Sequence, residues 1–360
     1  ISGVTGSGRL VTTQVFRDPG AWYHIVLVYD SPNATEEDRM IFYVNGSRIA
    51  DGDLSHSAYP TQSGVTPYNN TYLHTLGKHG IVGYTNYYDG YMAEVYWIDG
   101  TIYDADDFGE TDEDTNQWKP IDASGLTFGT NGFYMKFEDS ADLGSDSSGE
   151  GNDYTTHNLA ATDQMVDSPT NSFCTFNPLA AGTDKGANIA LTEGNLQVKT
   201  TYAGWEEVAA TQYVSSGKWY AECNTVGNYL MHGVVTSNHN TPATSIATDG
   251  GYGWALYPAG SVSELVHAGS SSSTFSTGFA SGDIWGLALD LDASPPELTW
   301  YRNNSLVVST DDYVGFELTA GLEYTFYNRL VASSSSPDII WNFGSDSSFA
   351  GTKTAQGNQD

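Results

Sequence analysis

The feature that most limits the fold is a cadence of short apolar runs broken by turn residues. AWYHIVLVYD (21–30) is a run of strand length, rich in β-branched and aromatic side chains. A polar loop, SPNATEED, separates it from RMIFYVNG (39–46), which ends in Asn45-Gly46. Asn-Gly accepts positive φ at both central positions of a two-residue turn, so the two runs are predicted to pair antiparallel across Asn45. Runs at 71–77, 90–98 and 131–137 continue the pattern. After residue 185, strands are predicted at 217–224, 229–236, 251–257, 282–291, 297–302, 306–309, 322–328 and 338–343. Serine runs at 270–273 and 333–336 read as surface loops. No segment carries a convincing helical period. Strands of this length with a turn every ~8–12 residues predict an all-β chain of sandwiches or jelly rolls.

A chain of 360 residues is too long for one small β domain and comfortable for two. Two stretches interrupt the strand pattern. DADDFGETDED (104–114) holds seven acids in eleven positions, which disfavours a strand and predicts a loop or a short helical turn. EDSADLGSDSSGEGND (138–153) is acidic and rich in Gly and Ser. We therefore expect two antiparallel sandwich domains, 1–120 and 186–350, joined by an acidic Gly/Ser-rich connector (121–185) and followed by a polar tail (351–360).

Acids outnumber bases 44 to 13, for a net charge of −31. Phosphate backbones and anionic headgroups repel such a surface, so nucleic acid and anionic membranes are excluded as partners. No run approaches the ~18 apolar residues of a membrane span. ISGVTGSGRL has neither the basic start nor the apolar core of a signal peptide. A strongly acidic protein suits a salty medium, or one with divalent cations. The two cysteines, Cys174 and Cys223, do not make a disulfide framework and read as buried thiols.

The first half resembles the laminin-G-type, concanavalin-A-like lectin/glucanase sandwich. In that family one strand reads W-x-H-x-x-x-x-Y/F-D, the next ends Y-V-N-G, and a later one reads F-x-G-x-I-x-E/D-V. Trp22, His24, Tyr43-Val44-Asn45-Gly46 and Gly90-Tyr91-Met92-Ala93-Glu94-Val95 match in order. The family's early strands would lie before residue 10. The longer series YDGYMAEVYWIDG, FGETDEDTNQWKP, GTNGFYMKFEDSADLGSDSSGEGNDYTTHNL and DSPTNSF, over 88–176, resembles a module of virion proteins from marine tailed bacteriophages. In the second half, GKWYAEC (217–223), GDIWGLALDLD (282–292), LTWYRNN (298–304) and WNFG (341–344) resemble a SPRY-like domain. That family has Asn-Gly where Asn303-Asn304 stands here, and asparagine tolerates the left-handed turn. In that family the loops at one end of the sandwich bind protein partners.

These resemblances imply a virion structural protein, exposed as a fibre, spike or decoration component that contacts the host surface. Its partners would be other virion subunits, further copies of itself (a trimer is one arrangement) and a host glycan or receptor. The alternatives are a polysaccharide depolymerase and a secreted adhesin, the latter with N-x-S/T acceptors at Asn33, Asn45, Asn69 and Asn303.

Glu94 tests the enzyme alternative. Glucanases of this type place acids at alternate positions of one strand, on one face, because a glycosidase needs a carboxylate pair. Positions 92, 94, 96 and 98 read Met, Glu, Tyr, Ile, so Glu94 stands alone and a structural role is expected. Motifs for nucleophilic, dinucleotide, thiol or HExxH zinc chemistry are missing. His74 and His79 are close in sequence and read as a surface loop. No catalytic residue is assigned. For glycan binding the best candidates are Tyr84, Asn86, Tyr87 and Tyr88 in GYTNYYDG, since exposed aromatic rings stack on sugar faces and the amide supplies hydrogen bonds. No cofactor is required. Asp139, Asp142, Asp146, Asn152 and Asp153 are candidate calcium ligands, because Ca²⁺ takes six to eight oxygens from flexible loops, and 104–114 is a weaker candidate.

Overall fold

The computed structural model describes residues 8–18, 20–65, 71, 73–78, 86–88, 90–181, 188–227, 229–239, 251–259, 262–268, 270–271, 280–332 and 337–354. The chain divides into two compact units, Ile1–Ser172 and Phe173–Asp360. Both are built from antiparallel strands, and the one α-helical turn among the described residues is Pro178–Ala181.

Among the described residues the first unit holds nine short strands: β1 (Arg9–Thr12), β2 (Ile25–Tyr29), β3 (Met40–Val44), β4 (Ser47–Arg48), β5 (Leu54–Ala58), β6 (Val95–Trp97), β7 (Gly109–Thr111), β8 (Trp118–Pro120) and β9 (Phe133–Met135). β2, β3 and β4 form one sheet, and β1–β5, β6–β9 and β7–β8 are two-stranded pairs. The β2–β3 register runs from Ile25 opposite Val44 to Tyr29 opposite Met40. The two predicted runs do pair, but across the 30–39 loop; the Asn45-Gly46 turn, at φ 47° and 78°, instead joins β3 to β4. Met40, Val44, Phe108, Phe128, Tyr134 and Met135 are buried in this unit. Phe108, Tyr96, Tyr134 and Phe128 make a set of touching rings, with Tyr96 and Tyr134 stacked at 4.2 Å.

Several expectations need correction here. The acidic stretch 104–114 does contain a strand. Asp104 caps a 3-10 turn at Ala105–Asp107, and Gly109–Thr111 then pairs with Trp118–Pro120. The hairpin survives its charge because Asp112 accepts the N–H groups of Asp114 and Thr115 across the turn, and Lys119 sits 3.0 Å from Asp112 and 3.4 Å from Glu110. The run 71–77 contains no strand among its described residues; just beyond it an isolated bridge joins Lys78 to Tyr87. Residues 121–172, expected as a connector, fall within the first unit, because β9 pairs with β6.

The second unit is a two-sheet sandwich. Its strands are β10 (Ile189–Thr192), β11 (Gln197–Thr200), β12 (Glu206–Ala209), β13 (Lys218–Val226), β14 (Leu230–Thr236), β15 (Gly253–Ala259), β16 (Val262–His267), β17 (Ser270–Ser271), β18 (Asp283–Asp290), β19 (Glu297–Arg302), β20 (Ser305–Ser309), β21 (Tyr324–Leu330) and β22 (Asp338–Asn342). One sheet has the order β10-β11-β22-β13-β18-β19-β20, the other β12-β21-β14-β15-β16-β17. Alternate residues from both meet in one core, in which Trp254, Trp285, Trp300 and Trp341 are fully buried. Cys174 and Cys223 are buried, free thiols. Asn303 and Asn304 adopt φ 47° and 64° in the β19–β20 turn. Ser270–Ser271, expected in a loop, pair instead with Val266 and His267 at the sheet edge. The rest of that serine run, and 333–336, lie outside the described residues.

Candidate functional site

The first unit carries an open groove of 2710 Å³ bordered by residues 73–78, 87–88 and 90–92, by β6 and β9, and by residues of 152–170. Its lining mixes rings (Tyr87, Tyr88, Tyr91, Trp97, Phe133, Tyr154) with amides, carboxylates and histidines (Asn131, Asn152, Asp153, His74, His157). Tyr87 and Tyr88 are 66% and 54% exposed. Lys78 lies over the Tyr87 ring at 5.4 Å, and the Tyr88 hydroxyl donates to the Tyr91 carbonyl at 2.9 Å. Asn86 is exposed beside them, and Tyr84 lies outside the described residues. Two groups that the sequence kept apart, the tyrosine loop and Asn152-Asp153, therefore border one groove. Trp97, Tyr91, Tyr154 and His157 were not singled out as site residues, because nothing local in the sequence distinguishes a groove wall from a core face.

Trp22, His24, Asn45 and Gly46, which carry the family resemblance, turn out to be construction. The Trp22 indole donates to Asp167 at 3.1 Å and its ring stacks with Tyr91 at 6.4 Å. The His24 backbone N–H donates to the Asn45 side-chain oxygen, and Asn45 N–H donates back to the His24 carbonyl. The His24 ring accepts the Trp118 indole N–H at 2.9 Å, and burial lowers its pKa.

Glu94 borders the groove just before β6, in the left-handed region at φ 53°. One of its oxygens, Oε2, accepts the hydroxyls of both Tyr96, at 2.6 Å, and Tyr134. Burial, and then this carboxylate, push both phenols well above their ordinary pKa. The arrangement is a fixed acceptor that ties the ends of two stacked core rings.

The candidate calcium loop is held by its own backbone. Asp146 accepts N–H groups from Tyr134, Ser148 and Asn152 and the Ser148 hydroxyl. Asp153 accepts Asp146 N–H, Asp142 accepts Gly144 N–H, and Asp139 accepts Ala141 N–H. The Asn152 amide donates to the carbonyls of Thr130 and Gly132. Among the described residues no three His, Cys, Asp or Glu side chains are gathered as a metal ion would need. His74 is described and His79 is not.

A polar group in the second unit had no sequence signal at all. Glu207, in the all-buried strand EEVA, accepts the Tyr327 hydroxyl and lies 3.7 Å from Nε2 of His239, with both the Glu207 and His239 side chains fully buried. The Arg329 guanidinium lies over the Trp205 ring at 4.7 Å. The Glu207 and His239 side chains are closed to solvent, whereas Trp205 and Arg329 are half-buried at the margin of the group.

No protein-family model and no curated protein sequence matches the chain. Solved structures to which it is similar include the TRIM65 PSpry domain, at 16% identity over 47% of this chain and 89% of that one, with a TM-score of 0.36. The SPRY domain of human HERC1 is similar at 18% identity over 42% of this chain and 91% of that one, with a TM-score of 0.35.

Proposed function

We propose that this protein is a binding component of a phage particle surface, and that the groove of the first unit receives a host-surface glycan. The observation that carries the reading is the pair of exposed rings, Tyr87 and Tyr88, on the border of a groove that also presents Asn152 and Asp153. Sugars are recognised in this way: an aromatic face meets the C–H face of the ring, and amides and carboxylates take the hydroxyls. Charge narrows the ligand. Glu94, Glu138, Asp153, Asp163 and Asp167 border the groove against Lys78 and Lys136. With a net charge of −31, this favours a neutral glycan over a sulfated or uronate-rich one. The virion setting rests on the phage-module resemblance of residues 88–176. On the SPRY-like resemblance, the second unit contacts protein neighbours, further copies of this chain among them.

Binding rather than turnover is the mechanism. One oxygen of Glu94 is occupied by two tyrosine hydroxyls, which supports a structural role for it. The test is affinity electrophoresis of the full chain through gels holding a neutral β-glucan, a mannan, a galactan or alginate, with Tyr87→Ala and Tyr88→Ala beside the wild type. Retardation by a neutral polymer, lost in both variants and insensitive to salt, is the expected result. Retardation by alginate alone, equal retardation of the variants, or none in any gel would overturn the groove reading. A falling polymer viscosity would mean a depolymerase instead. Cryo-electron microscopy of the native particle tests the setting: a solvent-facing position is expected, and burial among shell or tube subunits overturns host contact.

A further inference from the structure

The core of the second unit contains a polar strip with no protein partners. His232 on β14 and Asn328 on β21 are directly opposed in the antiparallel register. Both are wholly buried. Each lies on the core face of its strand, in alternation with Leu230 and Val234 and with Phe326 and Leu330, which belong to the core between the sheets. The facing sheet brings Cys223 between its register partners Trp285 and Trp341, and the Trp285 ring lies 5.0 Å from the His232 ring. Both ring nitrogens of His232, both polar atoms of the Asn328 amide, and the indole N–H groups of Trp285 and Trp341 have no hydrogen-bond partner in the protein.

Such a set is improbable as dry packing. Buried amides and imidazoles are paired in the great majority of cases, and an unpaired one forfeits its hydration with nothing in return. Here six polar atoms of four side chains are concerned, two of them adjacent across one strand pair. Their donors and acceptors are complementary to a small molecule with both functions. The imidazole, kept neutral by burial, offers one donor and one acceptor; the amide offers both; each indole donates. The site is closed to solvent, so its ligand is enclosed when the sheets close and does not exchange freely.

We infer that the two sheets of the second unit enclose an internal hydration site, in which one or more ordered waters bridge His232 and Asn328 and accept from the Trp285 indole. A buried water of this kind makes two to four hydrogen bonds to otherwise unpaired groups and is part of the structure. The site is independent of the glycan reading and of the first unit.

Magnetic relaxation dispersion of water ¹⁷O on the full chain counts long-lived internal waters. The expected result is that His232→Leu with Asn328→Leu loses at least one relative to the wild type. An unchanged count would overturn the inference. The unfolding constants of the two single variants and the double give a second readout. A shared water makes the double variant at least tenfold more stable than the product of the singles implies, whereas independent effects deny it. Should the double variant fail to fold, a high-resolution crystal structure of the wild type decides: solvent density within hydrogen-bond reach of both side chains supports the site, and direct side-chain contacts without solvent overturn it.

Discussion

Trp118 donates its indole N–H to Nδ1 of His24 at 2.9 Å, and its six-membered ring lies where a Cβ on Gly46 would be, 2.3 Å away. One side chain thus fixes the tautomer of the histidine and holds the hairpin turn beside it. Gly46 also needs its positive φ of 78°. Gly46→Ala therefore combines left-handed strain with a clash against an indole, and a loss of about 2–4 kcal/mol is expected. Urea unfolding of the first unit's near-ultraviolet signal measures it; a loss below about 1 kcal/mol would mean that the ring moves aside freely.

His24 makes the same contact sensitive to acid. Burial lowers its pKa below the ordinary 6.5, so the unfolded chain takes up the proton first. Stability is then complete above the unfolded value and falls as pH drops below it. The protonated ring has no lone pair for the indole N–H, so the acid form also loses a hydrogen bond. His24→Phe should destabilise the unit at pH 7.5 and flatten its melting temperature between pH 6.5 and 5.

His232 should give the second unit a wider acid response. Desolvation lowers its pKa from 6.5 to about 3 in a fully buried site. By linkage the stability contribution is fully present above pH 6.5, declines steadily below it, and levels off near pH 3. The integrated loss is on the order of 5 kcal/mol. His232→Leu should remove that slope, whatever it does to stability at pH 7. Parallel curves for wild type and variant between pH 6.5 and 4 would show that the histidine is not held neutral.

Much of this architecture could be read from the chain, and the exceptions share a cause. Asn45-Gly46 and the runs of β13, β18 and β21 were legible because turn chemistry and alternation are local properties. Glu206–Ala209 was not: nothing local marks two glutamates in a four-residue strand as buried, and their partners Asn188, Tyr327 and His239 are distant in the chain. β7 was missed because its charge is relieved by Lys119 on the paired strand β8, across the turn, where composition alone does not look. The groove was half legible. Tyr87 and Tyr88 stood out as a glycine-flanked aromatic pair, while Trp97 and Tyr154 join them only through tertiary packing.

The loop at 139–153 is expected to stand without a cation. Burial disfavours the Asp146 anion, but the N–H groups of Ser148, Tyr134 and Asn152 and the Ser148 hydroxyl outweigh it and hold the pKa below its ordinary 3.8. Its contribution is present at neutral pH and is lost as pH falls below the carboxylate range. Asp146→Ala should cost about 2–4 kcal/mol, because several donors lose one acceptor. The melting temperature should be the same in EGTA and in excess calcium; a rise with calcium that Asp139→Asn or Asp142→Asn abolishes would support the metal reading.

Glu94 makes the sharpest distinction between an enzyme and a scaffold. As a shared acceptor for Tyr96 and Tyr134, it matters for its oxygen and not for its proton. Glu94→Gln keeps an oxygen for the two hydroxyls and should cost about 1 kcal/mol, whereas Glu94→Ala strands both and should cost about 2–3 kcal/mol. A catalytic carboxylate has the opposite signature: glutamine abolishes turnover at unchanged stability, because the amide can neither donate a proton as an acid nor attack as a nucleophile. Unfolding curves and reducing-sugar release, measured on the wild type and both variants with the polymer that the groove retains, separate the two. Sugar release by the wild type that glutamine removes would make Glu94 the catalytic acid; stability loss ordered alanine above glutamine, with no release by any of the three, is the expected outcome.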